Sequence, residues 1–297
     1  MQASCFTICF SAASAQQKKT LTADQIFKQA PQNAITATPT VSGWVDDGHA
    51  VLTRINSGKP VSTLLDVKTG SERPYTKPAV ADVYVNEGDV FYKPAAGAEK
   101  RLTNTPDKEQ NPTLSPDGKK VAYTRGGNLF IFDLATNRLS QLTRDGNGVI
   151  MNGFASWVYY EEILGRASQY RAFWWSPDSR RIAWMRFDDS KVPVFPIYNS
   201  DGQHGFLENQ RYPQPGDPNP QVRTAIADVQ SLRTAWAAYD QRVDQYFGKP
   251  FWTPDSKSLW MQWMNRDQND LRIDAVNPDN GQIKKIYEEK QKTWVDW

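Results

Sequence analysis

The sequence predicts an all-β protein, a β-propeller. Three observations carry that expectation: a hairpin motif that recurs along the chain, a spacing between copies that suits a four-stranded unit, and a wealth of aromatic residues. The motif is clearest at Leu114-Ser115-Pro116-Asp117-Gly118-Lys119-Lys120-Val121-Ala122-Tyr123, returns at residues 44–52, 175–184 and 252–260, and has a weaker copy at 85–92. Each copy reads as strand, tight turn, strand: Pro suits the first central turn position, Asp and Ser hydrogen-bond the local backbone, and Gly admits positive φ. After the clearest copy, residues 128–134 and 139–143 supply two more strands around the turn Ala135-Thr136-Asn137-Arg138. That completes a unit of about 35 residues, the size of a propeller blade. Aromatics reach 12% of the chain, with 11 Trp, as strands and their edges favour.

In chain order, residues 1–15 read as a secretory leader. Cys5-Phe6-Thr7-Ile8-Cys9-Phe10 is apolar, and Ala13-Ser14-Ala15 before Gln16 has the form of a cleavage site, although Met1-Gln2-Ala3 lacks the usual basic start. The expected location is therefore the periplasm or the cell exterior. Both cysteines fall in the leader, and a domain of this size with its own core needs no disulfide. Residues 16–35 lead into the propeller, expected over 36–297 as about five blades near 40–76, 80–104, 111–143, 150–200 and 222–287. An open array or sandwich of hairpins would use the same repeat. Residues 199–220, rich in Gly, Pro, Asn and Gln, read as a long loop. Residues 161–171 have helix-forming character.

Several function classes are excluded. The net charge is +2 with both signs mixed and no basic block, so nucleic acid is not an expected partner. No apolar run approaches the ~18 residues of a membrane-spanning helix. No Gly-x-Ser-x-Gly nucleophile elbow occurs, and the two histidines, His49 and His204, have no Ser partner and read as solvated loop residues. No His/Cys cluster has metal-ligand spacing, and Asp46-Asp47 and Asp188-Asp189 read as turn acids. No catalytic residue, metal or cofactor is therefore expected.

One stretch breaks the pattern. In Trp157-Val158-Tyr159-Tyr160-Glu161-Glu162-Ile163-Leu164, two adjacent carboxylates sit among aromatic and aliphatic residues. A half-buried carboxylate is costly unless a cation meets it, and no Lys or Arg stands near before Arg166. A ligand ammonium, such as a peptide N-terminus, would supply the missing charge.

These residues, with Trp174-Trp175-Ser176-Pro177-Asp178, Ile182-Ala183-Trp184, Phe187-Asp188-Asp189 and Val192-Pro193, resemble the propeller domain of dipeptidyl peptidase IV. So do Arg211-Tyr212-Pro213-Gln214-Pro215-Gly216-Asp217-Pro218-Asn219-Pro220-Gln221-Val222 and Gln262-Trp263-Met264-Asn265-Arg266-Asp267-Gln268-Asn269. The resemblance covers about residues 150–270. It implies a serine exopeptidase releasing X-Pro or X-Ala dipeptides from peptide N-termini. Its catalytic α/β-hydrolase domain is absent from this chain, so the chain alone is expected to be inactive. It implies that Glu161 and Glu162 bind the substrate's free amine, that the partners are a peptide and the hydrolase domain, and it leaves homodimer formation by the intact enzyme open. The family ring has eight blades, so Trp297 falls mid-propeller. Tyr160 stands where the family carries a further acid. No early-blade motif matches the family's substrate-contacting arginine, and neither Arg54 nor Arg101 is assigned that role. The alternative is a stand-alone propeller that binds protein partners without catalysis.

Overall fold

The structure, a computed structural model, describes residues 38–296; the expected leader and lead-in lie outside them. The chain divides into two compact units, one ending at Pro78 and one beginning at Ala79. The first holds one antiparallel sheet of β1 (Thr40–Asp46), β2 (His49–Asn56), β3 (Lys59–Asp66) and β4 (Glu72–Pro74), in that order. Arg54 and Thr63 hold the Glu72 carboxylate between β2, β3 and β4 at 2.6 Å each. His49 is not the free loop residue expected: it begins β2 half-buried, with Nδ1 2.8 Å from Asp46 Oδ1. His204 is exposed.

The second unit opens with a three-stranded sheet, β5 (Asp82–Asn86), β6 (Asp89–Lys93) and β7 (Lys100–Arg101). A four-stranded blade follows: β8 (Glu109–Leu114), β9 (Lys120–Arg125), β10 (Asn128–Asp133) and β11 (Arg138–Gln141). The 85–92 copy of the motif is out of phase with the others. Its turn, Glu87-Gly88 with φ of 52° and 93°, joins β5 to β6 just as Gly126-Gly127, at 54° and 72°, joins β9 to β10. It is thus the second hairpin of its blade, whereas residues 114–123 form the first.

The next sheet runs over β12 (Ile150–Asn152), β13 (Phe173–Trp175), β14 (Arg181–Asp188), β17 (Gln221–Asp228) and β18 (Thr234–Trp236). Between β14 and β17 the chain makes a separate two-stranded ribbon of β15 (Val194–Asn199) and β16 (Phe206–Arg211). Two expectations are corrected here. The boundary expected near residue 200 fails, because β17 pairs with β14 along eight registered residues from Arg181↔Asp228 to Asp188↔Gln221. The long loop over 199–220 contains β16, whose partner β15 tolerates Pro196 because a two-stranded ribbon leaves one side of each strand without a ladder. The final sheet is β19 (Gln245–Phe247), β20 (Phe251–Trp252), β21 (Leu259–Asn265), β22 (Asp270–Val276) and β23 (Ile283–Lys290).

The repeat turns also join one blade to the next. Within a turn, Ser176 Oγ donates to Asp178 Oδ1 at 2.6 Å and accepts the Arg181 N–H at 2.9 Å. Across the joints, Ser179 Oγ accepts the Asp117 N–H at 2.9 Å and Ser256 Oγ accepts the Asp178 N–H at 3.0 Å. Trp175 Nε1 donates to Thr113 O and Trp252 Nε1 to Trp174 O, both at 3.2 Å. Between them lie the cores: Leu129, Ile131, Phe173 and Trp184 at one joint, Tyr159, Phe187, Phe247 and Met261 at the other.

At the end of β14, Asp188 is the turn acid expected, accepting the Ser190 N–H at 3.0 Å. Asp189 is not. It is 3% exposed, accepts Ser156 Oγ–H at 2.9 Å on Oδ2, and leaves Oδ1 without a partner. Arg211 caps the same corner, donating to Asp189 O at 3.2 Å and Val192 O at 2.7 Å. Burial pushes the Asp189 carboxyl up to about 6, against the opposing pull of Ser156 and Arg211. The corner thereby ties β14, the ribbon and the start of the segment bearing the glutamates.

Because the native carboxyl holds its proton more tightly than the unfolded one, its stabilising contribution is complete below about pH 4 and lost as pH rises through about 6. Asp189→Asn keeps an acceptor for Ser156 and cannot ionise. The stability difference between variant and wild type should therefore move in the variant's favour by roughly 3 kcal/mol between pH 4 and pH 8, measured by denaturant titration at each pH. Gly281 has φ of +74°, and an added Cβ would lie 1.8 Å from Trp236 O. Gly281→Ala should cost more than about 2 kcal/mol in the same assay.

Candidate functional site

The glutamates ride on an arm that leaves the sheet after β12 and returns at β13. Gly153 starts it at φ of +72°, where a Cβ would press on Phe173, Leu129 and Thr124 at 3.2–3.3 Å. The two legs are zipped at the base: Ala172 N–H bonds Gly153 O at 2.9 Å, Ala155 N–H bonds Tyr170 O at 2.8 Å, and Phe154 bridges Arg171. Between the legs the chain forms a single π-helical turn, Tyr159–Ile163, closed by Leu164 N–H to Tyr159 O at 2.7 Å, and then a 3₁₀ turn, Arg166–Ser168. Wide turns of this kind often occur at functional sites. The helix-forming character expected over 161–171 is expressed only in these two short turns.

Tyr159 roots the arm. It is 1% exposed, its ring meets Phe187 edge-on at 5.0 Å, and its hydroxyl oxygen accepts the Phe247 N–H at 3.2 Å. Burial raises its hydroxyl pKa far above the usual phenol range. Trp157 packs on Tyr212 at 4.7 Å, and Tyr212 on Phe195 at 5.8 Å, so the ribbon braces the arm. On the other side Tyr160 stacks on Tyr170 at 3.8 Å, and Tyr170 on Phe154 at 4.9 Å. Tyr170 adopts φ of 67° to reach that position.

Successive helical side chains diverge by roughly 80–100°, so the two carboxylates do not share one environment. The Glu161 side chain is 13% exposed, while Glu162 is exposed. The expectation of an unpaired acid near an aromatic wall is corrected for Glu161. Arg166 Nε donates to Glu161 Oε2 at 2.5 Å, and the Glu161 contact holds the guanidinium pKa above its ordinary value. Arg166 itself is 75% exposed. Glu162 has no hydrogen bond or ion pair among the described residues. The Tyr170 hydroxyl pKa is raised first by burial and then by Tyr160, Glu161 and Glu208. The Glu208 carboxylate on β16 therefore acts on the same region. Arg166, Tyr170, Glu208 and the Ser156–Asp189 anchor were not singled out from sequence. The signal for Arg166 was a cation five residues after Glu161, a spacing that α-helical neighbour rules do not cover.

The arrangement offers two carboxylates of unequal exposure against stacked rings, one of them held by an exposed cation of the same arm. It suits a compact cation with hydrogen-bond donors. Among the described residues no three His, Cys, Asp or Glu side chains gather as a metal site would require.

The family profile described as "Dipeptidyl peptidase IV (DPP IV) N-terminal region" matches residues 65–297. Mouse prolyl endopeptidase FAP is 35% identical over 163 residues, 52% of this chain and 21% of its own. A probable dipeptidyl-aminopeptidase B of Talaromyces marneffei is 35% identical over 180 residues, 55% of this chain and 19% of its own. The chain thus spans about a fifth of the length of the curated relatives it matches. The crystal structure of Porphyromonas gingivalis dipeptidyl peptidase 4 superposes with a TM-score of 0.64 over 89% of this chain and 41% of that one, at 23% identity, which is a likeness of fold. With the propeller-type sheets and a profile match across most of its length, the chain belongs to the dipeptidyl peptidase IV N-terminal region family.

Proposed function

We propose that the chain is the substrate-gating, amine-anchoring propeller portion of a serine dipeptidyl peptidase that releases X-Pro or X-Ala dipeptides from peptide N-termini in the periplasm or outside the cell. The observation that carries this reading is the placement of Glu161 and Glu162 on one braced π-helical turn, beside a stack of rings and a solvent-exposed Arg166. A substrate ammonium replaces the Arg166 guanidinium at Glu161 and meets Glu162 alongside. Both carboxylates face the propeller's central opening, so short unfolded peptides reach them and folded proteins do not. Chemistry belongs to an α/β-hydrolase domain of the parent enzyme, which supplies nucleophile and triad. Fixing the amine at a set distance from that nucleophile selects the bond two residues in, and contributes orientation to catalysis. The proposal includes a homodimer of the intact enzyme. Val194, Phe195, Tyr198, Phe206 and Leu207 on the β15–β16 ribbon are exposed apolar residues that a second copy would cover.

The test uses Ala-Pro-Ala with a free or an acetylated amine, titrated into the chain and followed by NMR. The free peptide should bind wild type at least about tenfold more tightly, equivalent to ~1.4 kcal/mol. Glu161→Gln and Glu162→Gln should each remove most of that advantage and leave the acetylated peptide unaffected, whereas Arg166→Ala should strengthen binding of the free peptide. Equal losses for both peptides would show that the carboxylates do not read the amine. The chain alone should not turn over an X-Pro chromogenic substrate; phosphonate-sensitive turnover after rigorous purification would overturn the division of labour.

A further inference from the structure

Three segments meet at Asp189. Its N–H bonds Val149 O at 3.0 Å, on the approach to β12. Its C=O accepts the Val192 N–H at 3.0 Å and Arg211 Nη1 at 3.2 Å, at the root of the ribbon. Backbone groups and Arg211 therefore close the corner without the side chain. The carboxyl reaches instead to the arm, where Oδ2 accepts Ser156 Oγ–H at 2.9 Å. Oδ1 is covered and has no partner. A carboxyl placed this way, in a residue 3% exposed, adds nothing to the sheet that an apolar side chain could not supply.

From Ser156 the path to the glutamates is short. Ser156 is 1% exposed, and its C=O accepts the Tyr160 N–H at 3.0 Å. That bond opens the helical turn, which Leu164 N–H closes on Tyr159 O at 2.7 Å, and Glu161 and Glu162 follow Tyr160 directly. A shift of Ser156 therefore moves the frame that carries both carboxylates. The charged groups facing the Asp189 carboxyl are Arg211, from the ribbon, and Asp188, on its own strand; Ser156 faces it from the arm. Arg211 Nη1 donates to the carbonyls of Asp189 and Val192. Ionised, Asp189 would place charge on a covered oxygen that no donor meets. Relief requires Arg211 to leave the Val192 carbonyl or water to enter the corner, and either change disturbs the contact with Ser156.

We propose that Asp189 is a positioning residue for the turn bearing Glu161 and Glu162: its neutral carboxyl holds Ser156 in place, and loss of the proton loosens the turn. The carboxyl's raised value of about 6 puts that change within the range of mild acid to neutral. The ordered turn goes with the protonated acid, so raising the pH through about 6 favours the loosened turn. As a regulation of peptide binding, the proposal rests on the amine-anchor reading above; as a statement about the turn, it does not.

The test is an NMR titration of the full chain between about pH 5 and about pH 7.5. The amide signals of Tyr160 and Leu164 should shift with the midpoint of the Asp189 carboxyl carbon, and that step should vanish in Asp189→Asn. Ser156→Ala should also abolish it while Asp189 still titrates, which a charge acting directly on the turn would not do. Unblocked Ala-Pro-Ala supplies the second readout, each Kd being divided by that of Asp189→Asn at the same pH, so that titration of the peptide amine and of Glu161 and Glu162 cancels. That ratio should rise at least about fivefold across the range for wild type and stay within about twofold for Ser156→Ala. If the turn shows the step but Ala-Pro-Ala never outbinds its acetylated form, the anchor reading fails and the positioning of the turn stands. An Asp189 carboxyl already ionised at about pH 5 would overturn the proposal. So would a turn that ignores its titration, a step that survives Asp189→Asn or Ser156→Ala, or a flat ratio in a chain that does prefer the free amine.

Discussion

A backbone amide at the joint between two sheets must find a partner, and here the next repeat provides it. Asp117 and Asp178 give their N–H groups to Ser179 and Ser256, and the indoles of Trp175 and Trp252 close the same joints through the carbonyls of Thr113 and Trp174. Each hydrogen bond is worth only about 1 kcal/mol net, but an unmet buried donor costs more. The joints are therefore specified by pairing and stabilised by the apolar side chains packed between them. Everything at the candidate site inherits this geometry. Tyr159 can accept the Phe247 N–H only because the final blade is held against the one carrying the arm.

The arm shows how charge is kept near an aromatic wall without a ligand. Glu161 is mostly covered and meets Arg166, which is mostly exposed. The pair shares the cost of desolvation unequally, since the cation remains in water while the acid is screened from it. Such a pair is easily exchanged for another cation, because little burial is surrendered when Arg166 swings out. Asp189 presents the opposite solution: a buried acid with one oxygen satisfied and the other not, its pKa raised by burial.

The hairpins and the glutamate pair were legible because both are local. A turn announces itself within four residues, and the aromatic flanks of Glu161 are its own neighbours in sequence. What escaped depends on partners far along the chain. The 85–92 hairpin uses turn chemistry that serves either hairpin of a blade, so its phase becomes visible only through its pairing with β7. The β15–β16 ribbon hides behind Pro193 and Pro196, which read as loop until a strand with one open side is considered. Asp188 and Asp189 are alike in sequence, and only Ser156, 33 residues earlier, sets Asp189 apart. Arg166 reaches Glu161 because Gly165, at φ of 77°, turns the chain back after the wide helical turn.

The turn-to-turn contacts also have a direction. At both joints the later repeat supplies the serine acceptor and the indole donor, and the earlier repeat contributes only backbone. The backbone side of the contract is nearly indifferent to sequence, so the earlier turn is free to drift in evolution while the later one is not. Leu114 and Gly118 occupy the Trp and Ser positions in the blade that follows the three-stranded sheet, whose own turn at Glu87-Gly88 belongs to the second hairpin of its blade. Purifying selection on this scaffold should accordingly be asymmetric, concentrated at the first and fifth positions of each turn that has a predecessor and relaxed where the relay begins.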